Sequence, residues 1–494
     1  MVDFLGKNYV AGTWSSLGKN SYRSINPATD EKTSHSFIDA TEDEIEKSMH
    51  MASEAFTQVK LKQLPLFLKE VSTQIMKLDD FLIEIANWET ALGKQRLINE
   101  RARTTTQLEL FAEYISNKHH LDMITSPENS LYRMMIPIGP VVVFPASNFP
   151  FAFGVCGGDT ASAWAAGCPV IIKVHPSHPQ TAELFAKAVQ KAIKKCDMPD
   201  GFFSLLHGQE VFVSQRLVLH PQTQAIGFTG SFSAGKAIFA LACSREVPIP
   251  VYAEMGSINP IFIIDANRAQ LESIIDSITL GMGQFCTKPG VVFILKEQVG
   301  CIENMMNAIG KKKPGILLNK QVKENLVQKV TQIKDNEHVH LETDGSLQSK
   351  TCSYKPTLFQ TDADTFLQSS LLQSEFFGPV SFIVTCSDVS EFESIASQLN
   401  GQLTASIYVQ PEQYTDAIPL RDLLISKVGR IIFNDVPTGV AVCEAMQHGG
   451  PFPATTAPYS TSVGMRSIFR FLRPIVFQNA PNQLLPTCFS ELID

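Results

Sequence analysis

The sequence predicts an α/β protein with two doubly wound, Rossmann-like parallel-sheet domains. Three observations predict it. The chain has 494 residues, too many for one ordinary hydrophobic core. From about residue 133, short apolar β-rich runs alternate with segments of helical period, the pattern of βαβ units around a parallel sheet. That series breaks near residue 252 and then starts again, which places a domain boundary there.

The elements follow in order. "YVAGTW" and "YRSINPATDE" read as short strands and a turn. "TEDEIEKSMHMASEAF" reads as a helix opened by a capping box, Thr41 with Glu44, and Ile45, Met49, Ala52 and Phe56 fall on one face. "MMIPIGPVVVFP" reads as one buried strand, "GGDTASAWAAG" as a short helix ending at Gly167, "CPVIIKV" as a strand and "PQTAELFAKAVQKAIKK" as a helix. Strands over "GFFSLL" and "AIGFTG" alternate with helices over "EVFVSQRLVL" and "SAGKAIFALAC". The second series begins with "NPIFIID", the helix "RAQLESIIDSITLGM" and the strand "GVVFILK". The last 50 or so residues lose the rhythm: "HGGPFPATT" is a loop and "RPIVFQNAP" a lone strand.

Composition excludes several classes. Hydrophobic residues make up 44% and charged residues 18%, which is globular. A formal charge of −8 without a long basic run argues against nucleic acid, whose phosphates need clustered Lys and Arg. The uncharged stretch Met134 to Gly158 is no membrane span, because Pro137, Pro140, Pro145 and Pro150 would break a spanning helix. With no signal-peptide pattern at the start, the expected setting is the cytoplasm. Of the ten cysteines the nearest two, Cys156 and Cys168, are 12 positions apart. That spacing builds neither a zinc ribbon nor a redox pair, so no metal is expected and the thiols should be reduced.

A doubly wound sheet suggests a nucleotide, yet no G-x-G-x-x-G occurs. "FTGSFSAG" instead places Gly230, Ser231 and Gly235 at a helix start, where backbone N–H groups can face a phosphate or make a plain turn. Five other stretches carry chemistry. "FPASNFPF" holds Asn148 between prolines just beyond a strand, where its amide can donate to an oxyanion or to a turn. "VIIKVHPSH" ends a strand on Lys173. "VYAEMGS" carries Glu254 among apolar neighbours, where burial should raise its pKa toward that of a useful base. "QSEFFGPV" holds Glu375 and Phe377, and "GQFCTKPG" holds Cys286 between two glycines. Each residue alone also fits a structural role.

Together these motifs resemble the aldehyde dehydrogenase superfamily along nearly the whole chain. The order decides it: "FPASNFP", "IIKVHPSHP", "FTGS", "AEMGSINP", "GQFCTKPG", "SEFFGPV", "HGGPFPATT". "GQFCTKPG", "AEMGSINP" and "FLRPIVFQN" are most similar to the branch that includes α-ketoglutarate-semialdehyde (2,5-dioxopentanoate) dehydrogenases, and a related branch acts on fatty aldehydes. The resemblance implies NAD(P)-dependent oxidation of an aldehyde to an acid. Cys286 would be the nucleophile, Asn148 an oxyanion donor and Glu254 the general base. Lys173, Gly230, Ser231, Gly235, Glu375 and Phe377 would bind NADP or NAD. It also implies a small β arm for homodimer or homotetramer assembly. The domains would be residues 1–251 for the nucleotide, with 122–136 in the arm, 252–440 for catalysis, and 441–494 as a return segment with the C-terminal oligomerisation strand.

Three departures stand out. Pro176 occupies the position, three after Lys173, where the family commonly has an acid that meets the ribose 2′-OH. "EMGS" replaces "ELGG", and Asp435 stands where glycine or asparagine is expected. Without the acid, NADP should be accepted at least as well as NAD. Lys173, the histidines of "HPSH", Arg216 and Lys236 are the cations that could add attraction. Two rival classes remain at this stage: a thiol hydrolase pairing Cys286 with a histidine such as His448, and a catalytically silent protein on the same fold.

Overall fold

The computed structural model describes residues 4–335, 337–343 and 351–489; residues 490–494 of the expected C-terminal segment lie outside these. Its first sheet has seven strands in the order Val251–Glu254, Ala225–Thr229, Val141–Phe144, Val170–Lys173, Phe203–Leu206, Asn8–Val10, Thr13–Ser15. The first five run parallel, and the N-terminal hairpin adds an antiparallel edge. Strand order reverses at Val141–Phe144: later strands are added first on one side, then on the other. In an open parallel sheet the crevice at such a reversal is where ligands bind.

The second sheet also has seven strands, ordered His340–Thr343, Thr357–Asp362, Val380–Cys386, Val291–Leu295, Ile261–Ile263, Gln402–Tyr408, Val428–Phe433. All but the first of these pair in parallel. The expected break at residue 252 falls inside Val251–Glu254, the edge strand of the first sheet, because that run continues the parallel ladder beside Ala225–Thr229. The chain changes sheets between 254 and 261.

Local chemistry explains the element ends. Helix Glu42–Gln58 opens with the capping box: Thr41 Oγ1 accepts from the Glu44 N–H at 3.3 Å and Glu44 Oε2 from the Thr41 N–H at 2.8 Å. Helix Gly158–Ala166 stops at Gly167, whose φ of +94° suits glycine. Helix Pro179–Lys195 starts on a proline and buries one face. In the core beneath, the Trp164 ring meets Phe67 and Phe203 edge-on.

Two expectations need correction. "MMIPIGPVVVFP" is two strands in different sheets, because Gly139 turns the chain at φ +121°. Leu131–Pro137 joins a three-stranded antiparallel sheet, while Val141–Phe144 enters the first sheet. The C-terminal strand is not alone: Leu472–Gln478 pairs residue for residue with Leu131–Pro137. Between that strand and the second sheet, the chain returns across the edge of the first. There the Met255 N–H donates to Ala454 O at 2.8 Å and the Thr456 N–H to Ala253 O at 3.1 Å. Among the described residues no helix is long and apolar enough to cross a membrane.

Candidate active site

Cys286 sits between the turn Leu280–Gly283 and the strand Val291–Leu295. The flanking glycines are there because nothing larger fits. Gly283 has φ +62°, and a Cβ on it would fall 2.3 Å from Gly378 O; one on Gly290 would fall 2.8 Å from Ile258 O. Asn259 clamps the loop from below, its Nδ2 donating to Cys286 O at 2.8 Å and Lys288 O at 3.0 Å. Asn148, on the loop after Val141–Phe144, donates from Nδ2 to Gln284 O at 2.9 Å. Its own loop is pinned by Glu100, whose Oε1 accepts from the N–H groups of Phe151 and Ala152 at 2.8 and 2.9 Å.

The returning C-terminal segment completes the cluster. Because it pairs with the edge strand that ends at Glu254, it brings His448 and Ser462 against that carboxylate. His448 Nε2 lies 3.0 Å from Glu254 Oε1 and 3.4 Å from Cys286 Sγ. Ser462 Oγ donates to Glu254 Oε2 at 2.6 Å. The donor atoms of Glu254, Cys286 and His448 all lie within 4.8 Å of one another. Sequence reasoning gave His448 only to a rival hydrolase and missed Ser462; no local signal ties either to Glu254 across 194 and 208 positions.

The electrostatics correct one expectation. Burial does push the Glu254 carboxyl up, but His448 and the hydrogen bonds from His448 and Ser462 outweigh it and leave the pKa below the ordinary value. Glu254 is therefore an ionised acceptor. The Cys286 thiol moves the other way, well above its ordinary range, because burial and then the nearby Glu254 charge disfavour the thiolate, against a smaller pull from Arg103. Such a thiol reacts only when a neighbour takes its proton.

A cleft of 1890 Å³ runs from the helices Val211–Leu219 and Phe232–Cys243 inward to Asn148, Glu254 and Cys286, along the strand ends where the first sheet reverses. Lys173, Gly230, Ser231, Glu375 and Phe377 line it. Ser231 caps helix Phe232–Cys243, its Oγ accepting from the Ala234 N–H at 3.3 Å. Gly256 lies under Glu375, where a Cβ would come within 2.5 Å of Glu375 Oε2. Burial raises the Glu375 carboxyl to about 7, against the pull of Lys288 and Lys329, and lowers Lys173 to about 8. Gly235 is the exception among the expected cofactor residues. It is buried and absent from the cleft wall; a Cβ there would meet Met255 at 2.7 Å, so it serves helix packing.

The departures also find their places. Ser257, in the position of the usual glycine, lies 2.9 Å from both Asn259 Oδ1 and Gln402 Oε1 and ties the clamp to the second sheet. Asp435 is exposed and accepts from the Val436 N–H at 2.7 Å. Pro176 lines the cleft. The cations expected to assist NADP mostly do not. Burial holds His175 and His178 below the ordinary imidazole range, Arg216 pairs with Glu42, and neither Arg216 nor Lys236 is on the cleft wall. Arg23, not anticipated, is.

The sequence profile of the aldehyde dehydrogenase family matches residues 14–451. The chain belongs to the aldehyde dehydrogenase family. It is 39% identical to α-ketoglutaric semialdehyde dehydrogenase 2 of Azospirillum brasilense, over 99% of this chain and 96% of the relative. It is 38% identical to the α-ketoglutaric semialdehyde dehydrogenase of Acinetobacter baylyi, over 98% and 96%. A betaine aldehyde dehydrogenase from Staphylococcus aureus, solved with NAD+, superposes with a TM-score of 0.83 at 18% identity, covering 97% of this chain and 98% of that one; that likeness is one of fold. As a member of the family, this aldehyde dehydrogenase is an NAD(P)-dependent enzyme that oxidises an aldehyde to a carboxylic acid, and the silent and non-redox alternatives fall away.

Proposed function

We propose that this enzyme oxidises 2,5-dioxopentanoate, the semialdehyde of α-ketoglutarate, to the diacid. The names of its two relatives at 39% and 38% identity support that substrate. The observation that carries the mechanism is the cluster of Cys286, His448 and Glu254 at the inner end of the nucleotide cleft.

The Cys286 sulfur attacks the aldehyde carbon and an S–C bond forms. The thiol proton passes to the ionised Glu254, whose oxygens His448 Nε2–H and Ser462 Oγ–H hold in place. The carbonyl oxygen becomes an oxyanion held by the Cys286 backbone N–H and by Asn148: an amide carries two N–H groups, and one of them holds Gln284 O. A bound nicotinamide supplies the hydride acceptor that turns the thiohemiacetal into a thioester. Glu254, having released that proton to the cleft, then takes one from water as its oxygen attacks the thioester and returns it to the leaving sulfur.

The cleft fits a dinucleotide. Gly230 opens a helix N-terminus whose backbone N–H groups suit the pyrophosphate, Lys173 suits the adenine ribose, and Glu375 with Phe377 suits the nicotinamide end. NADP is proposed to be accepted at least as well as NAD. Pro176 removes a carboxylate that would repel a 2′-phosphate, worth on the order of 1–4 kcal/mol at about 4 Å, and Lys173 and Arg23 supply positive charge on the wall. Assembly as a homodimer or homotetramer is proposed through the three-stranded sheet, which exposes Ile124 and Val476. A spectrophotometric panel of aldehydes with both cofactors tests the reading. The semialdehyde should give the highest kcat/KM; a long-chain aliphatic aldehyde giving more would favour the fatty-aldehyde alternative, and an NAD preference above about tenfold, opposite in sign to the effect of the missing carboxylate, would refute the cofactor part.

A further inference from the structure

We propose that Glu254, Cys286 and His448 form an inhibitory zinc site: Zn2+ from solution binds their carboxylate, thiolate and imidazole together and switches the enzyme off. The proposal rests on the assignment of Cys286 as the nucleophile. The metal regulates the site and has no part in the oxidation.

The donor set comes first. A sulfur, an imidazole nitrogen and a carboxylate oxygen are the ligand types that zinc takes. Magnesium and calcium take oxygen and would leave the thiol and the imidazole unused. Among the described residues no other group of three Cys, His, Asp or Glu side chains is gathered in this way.

The spacing comes next. Tetrahedral zinc, with bonds of about 2.3 Å to sulfur and about 2.0–2.2 Å to nitrogen and oxygen, holds its ligand atoms about 3.3–3.7 Å apart. His448 Nε2 lies 3.4 Å from Cys286 Sγ and 3.0 Å from Glu254 Oε1, and all three ligand atoms lie within 4.8 Å of one another. The first two separations need to change by only a few tenths of an ångström. The third, sulfur to carboxylate, closes by rotation of the Cys286 side chain about its Cα–Cβ bond.

The ligands are already held from behind. The Glu254 and His448 side chains are 4% and 2% exposed. Ser462 Oγ donates to the second carboxylate oxygen, Glu254 Oε2, at 2.6 Å. The His448 N–H donates to Thr461 Oγ1 at 2.9 Å, and the Ser462 N–H donates to His448 O at 2.8 Å. Asn259 fixes the backbone of Cys286. Contacts of this kind orient metal ligands and raise affinity. The route in is the cleft, which Cys286 and Glu254 both line; the fourth tetrahedral position is left to water on that side.

Binding forms Zn–S, Zn–N and Zn–O bonds. The S–H bond of Cys286 breaks and its proton leaves to solvent, while the proton on His448 Nε2 moves to Nδ1. Thiolate and carboxylate repel each other, and a dication between them turns that repulsion into attraction. With its lone pair on the metal, the sulfur can no longer attack a carbonyl.

The test has two arms. In the first, oxidation of pentanal, which does not chelate the metal, is followed at free Zn2+ concentrations set by a metal buffer, and the apoenzyme is alkylated with iodoacetamide. Zinc should inhibit in the low micromolar range, competitively with the aldehyde, and should protect Cys286 from alkylation. It should release about one proton per ion, and EDTA should restore the full rate. In the second arm Co2+ replaces zinc in the apoenzyme, so that no turnover is needed. The wild type should show a sulfur-to-cobalt charge-transfer band and the visible bands of four-coordinate cobalt. Cys286→Ala should lose both, and His448→Ala should bind at least about 100-fold more weakly, beyond the usual cost of an outer contact. Ser462→Ala, which keeps all three ligands, should weaken binding roughly 10- to 100-fold. If His448→Ala does not fold, His448→Asn takes its place. Zinc that binds as tightly to Cys286→Ala sits on the exposed thiols Cys243 and Cys443 and would overturn the site. Cobalt affinity unchanged in His448→Ala would overturn it as well. Aldehyde oxidation that persists in Cys286→Ala would instead overturn the nucleophile assignment, whereas a wild type that alkylates at Cys286 but is indifferent to zinc would sink the metal site alone.

Discussion

Replacing Glu254 with glutamine should do two things at once, and they differ in sign. The carboxylate is ionised, held by His448 at 3.0 Å and Ser462 at 2.6 Å, and lies within 4.8 Å of the Cys286 sulfur. As a charge it opposes the thiolate; as a base, with His448, it deprotonates water. Two unit charges at 4.8 Å repel by about 1 kcal/mol in a water-like medium and about 3 kcal/mol at an effective dielectric near 20. At about 1.4 kcal/mol per pH unit that is a shift of roughly 0.6–2.5 units. Glu254→Gln should therefore move the pH profile of Cys286 alkylation by iodoacetamide to lower pH by an amount in that range. In the same variant steady-state aldehyde oxidation should fall by about 10²–10⁴, the usual worth of a general base, while a rapid burst of reduced cofactor remains. The assays are alkylation rate against pH with the apoenzyme, and stopped-flow absorbance of the nicotinamide with the holoenzyme. An alkylation profile that moves to higher pH would refute the reasoning, because it would mean that Glu254 and His448 together stabilise the thiolate. Loss of the burst together with the steady rate would show that Cys286 cannot shed its proton without Glu254, and that hydrolysis is not the step the variant limits.

Three further outcomes are expected. Cys286→Ala should abolish aldehyde oxidation while nucleotide binding, followed by fluorescence titration, survives; retention of even about a tenth of turnover would remove Cys286 from the role of nucleophile. Asn148→Ala should lower kcat by about 10²–10³, the scale for one oxyanion donor, and a rise in KM with kcat intact would leave Asn148 with substrate positioning only. Arg470→Ala should lower the thermal midpoint sharply. Arg470 Nη1 meets Asp159 Oδ1 at 2.7 Å, with both side chains under 10% exposed, and an orphaned buried carboxylate costs about 3–5 kcal/mol; an unchanged Tm would show that Asp159 is neutral without its partner.

What the sequence made legible here was whatever short-range chemistry decides. Helix Pro179–Lys195 could be bounded to the residue, since a proline starts it and one apolar face runs its length. The capping box at Thr41 and Glu44 is a contact between near neighbours. The tightness around Cys286 was readable from its glycines, although the reason, carbonyls of Gly378 and Ile258 pressed against them, was not. The failures all involve a partner distant in sequence. Two strands were taken as one because an apolar run does not say which sheet each half joins; Leu131–Pro137 leaves for Leu472–Gln478, more than 300 positions away. Gly235 looked like part of a phosphate loop because its true neighbour, Met255, lies on the next strand's exit. The direction of the Glu254 shift was inverted for the same reason: burial is legible from apolar neighbours, whereas the imidazole and hydroxyl that overcome it come from a segment about 200 residues later. The active site of this fold is thus where distant segments meet, the cysteine loop from one sheet, the carboxylate from the edge of the other and the histidine from the returning chain. A motif can name the nucleophile, but the acidity of each group is set by the meeting.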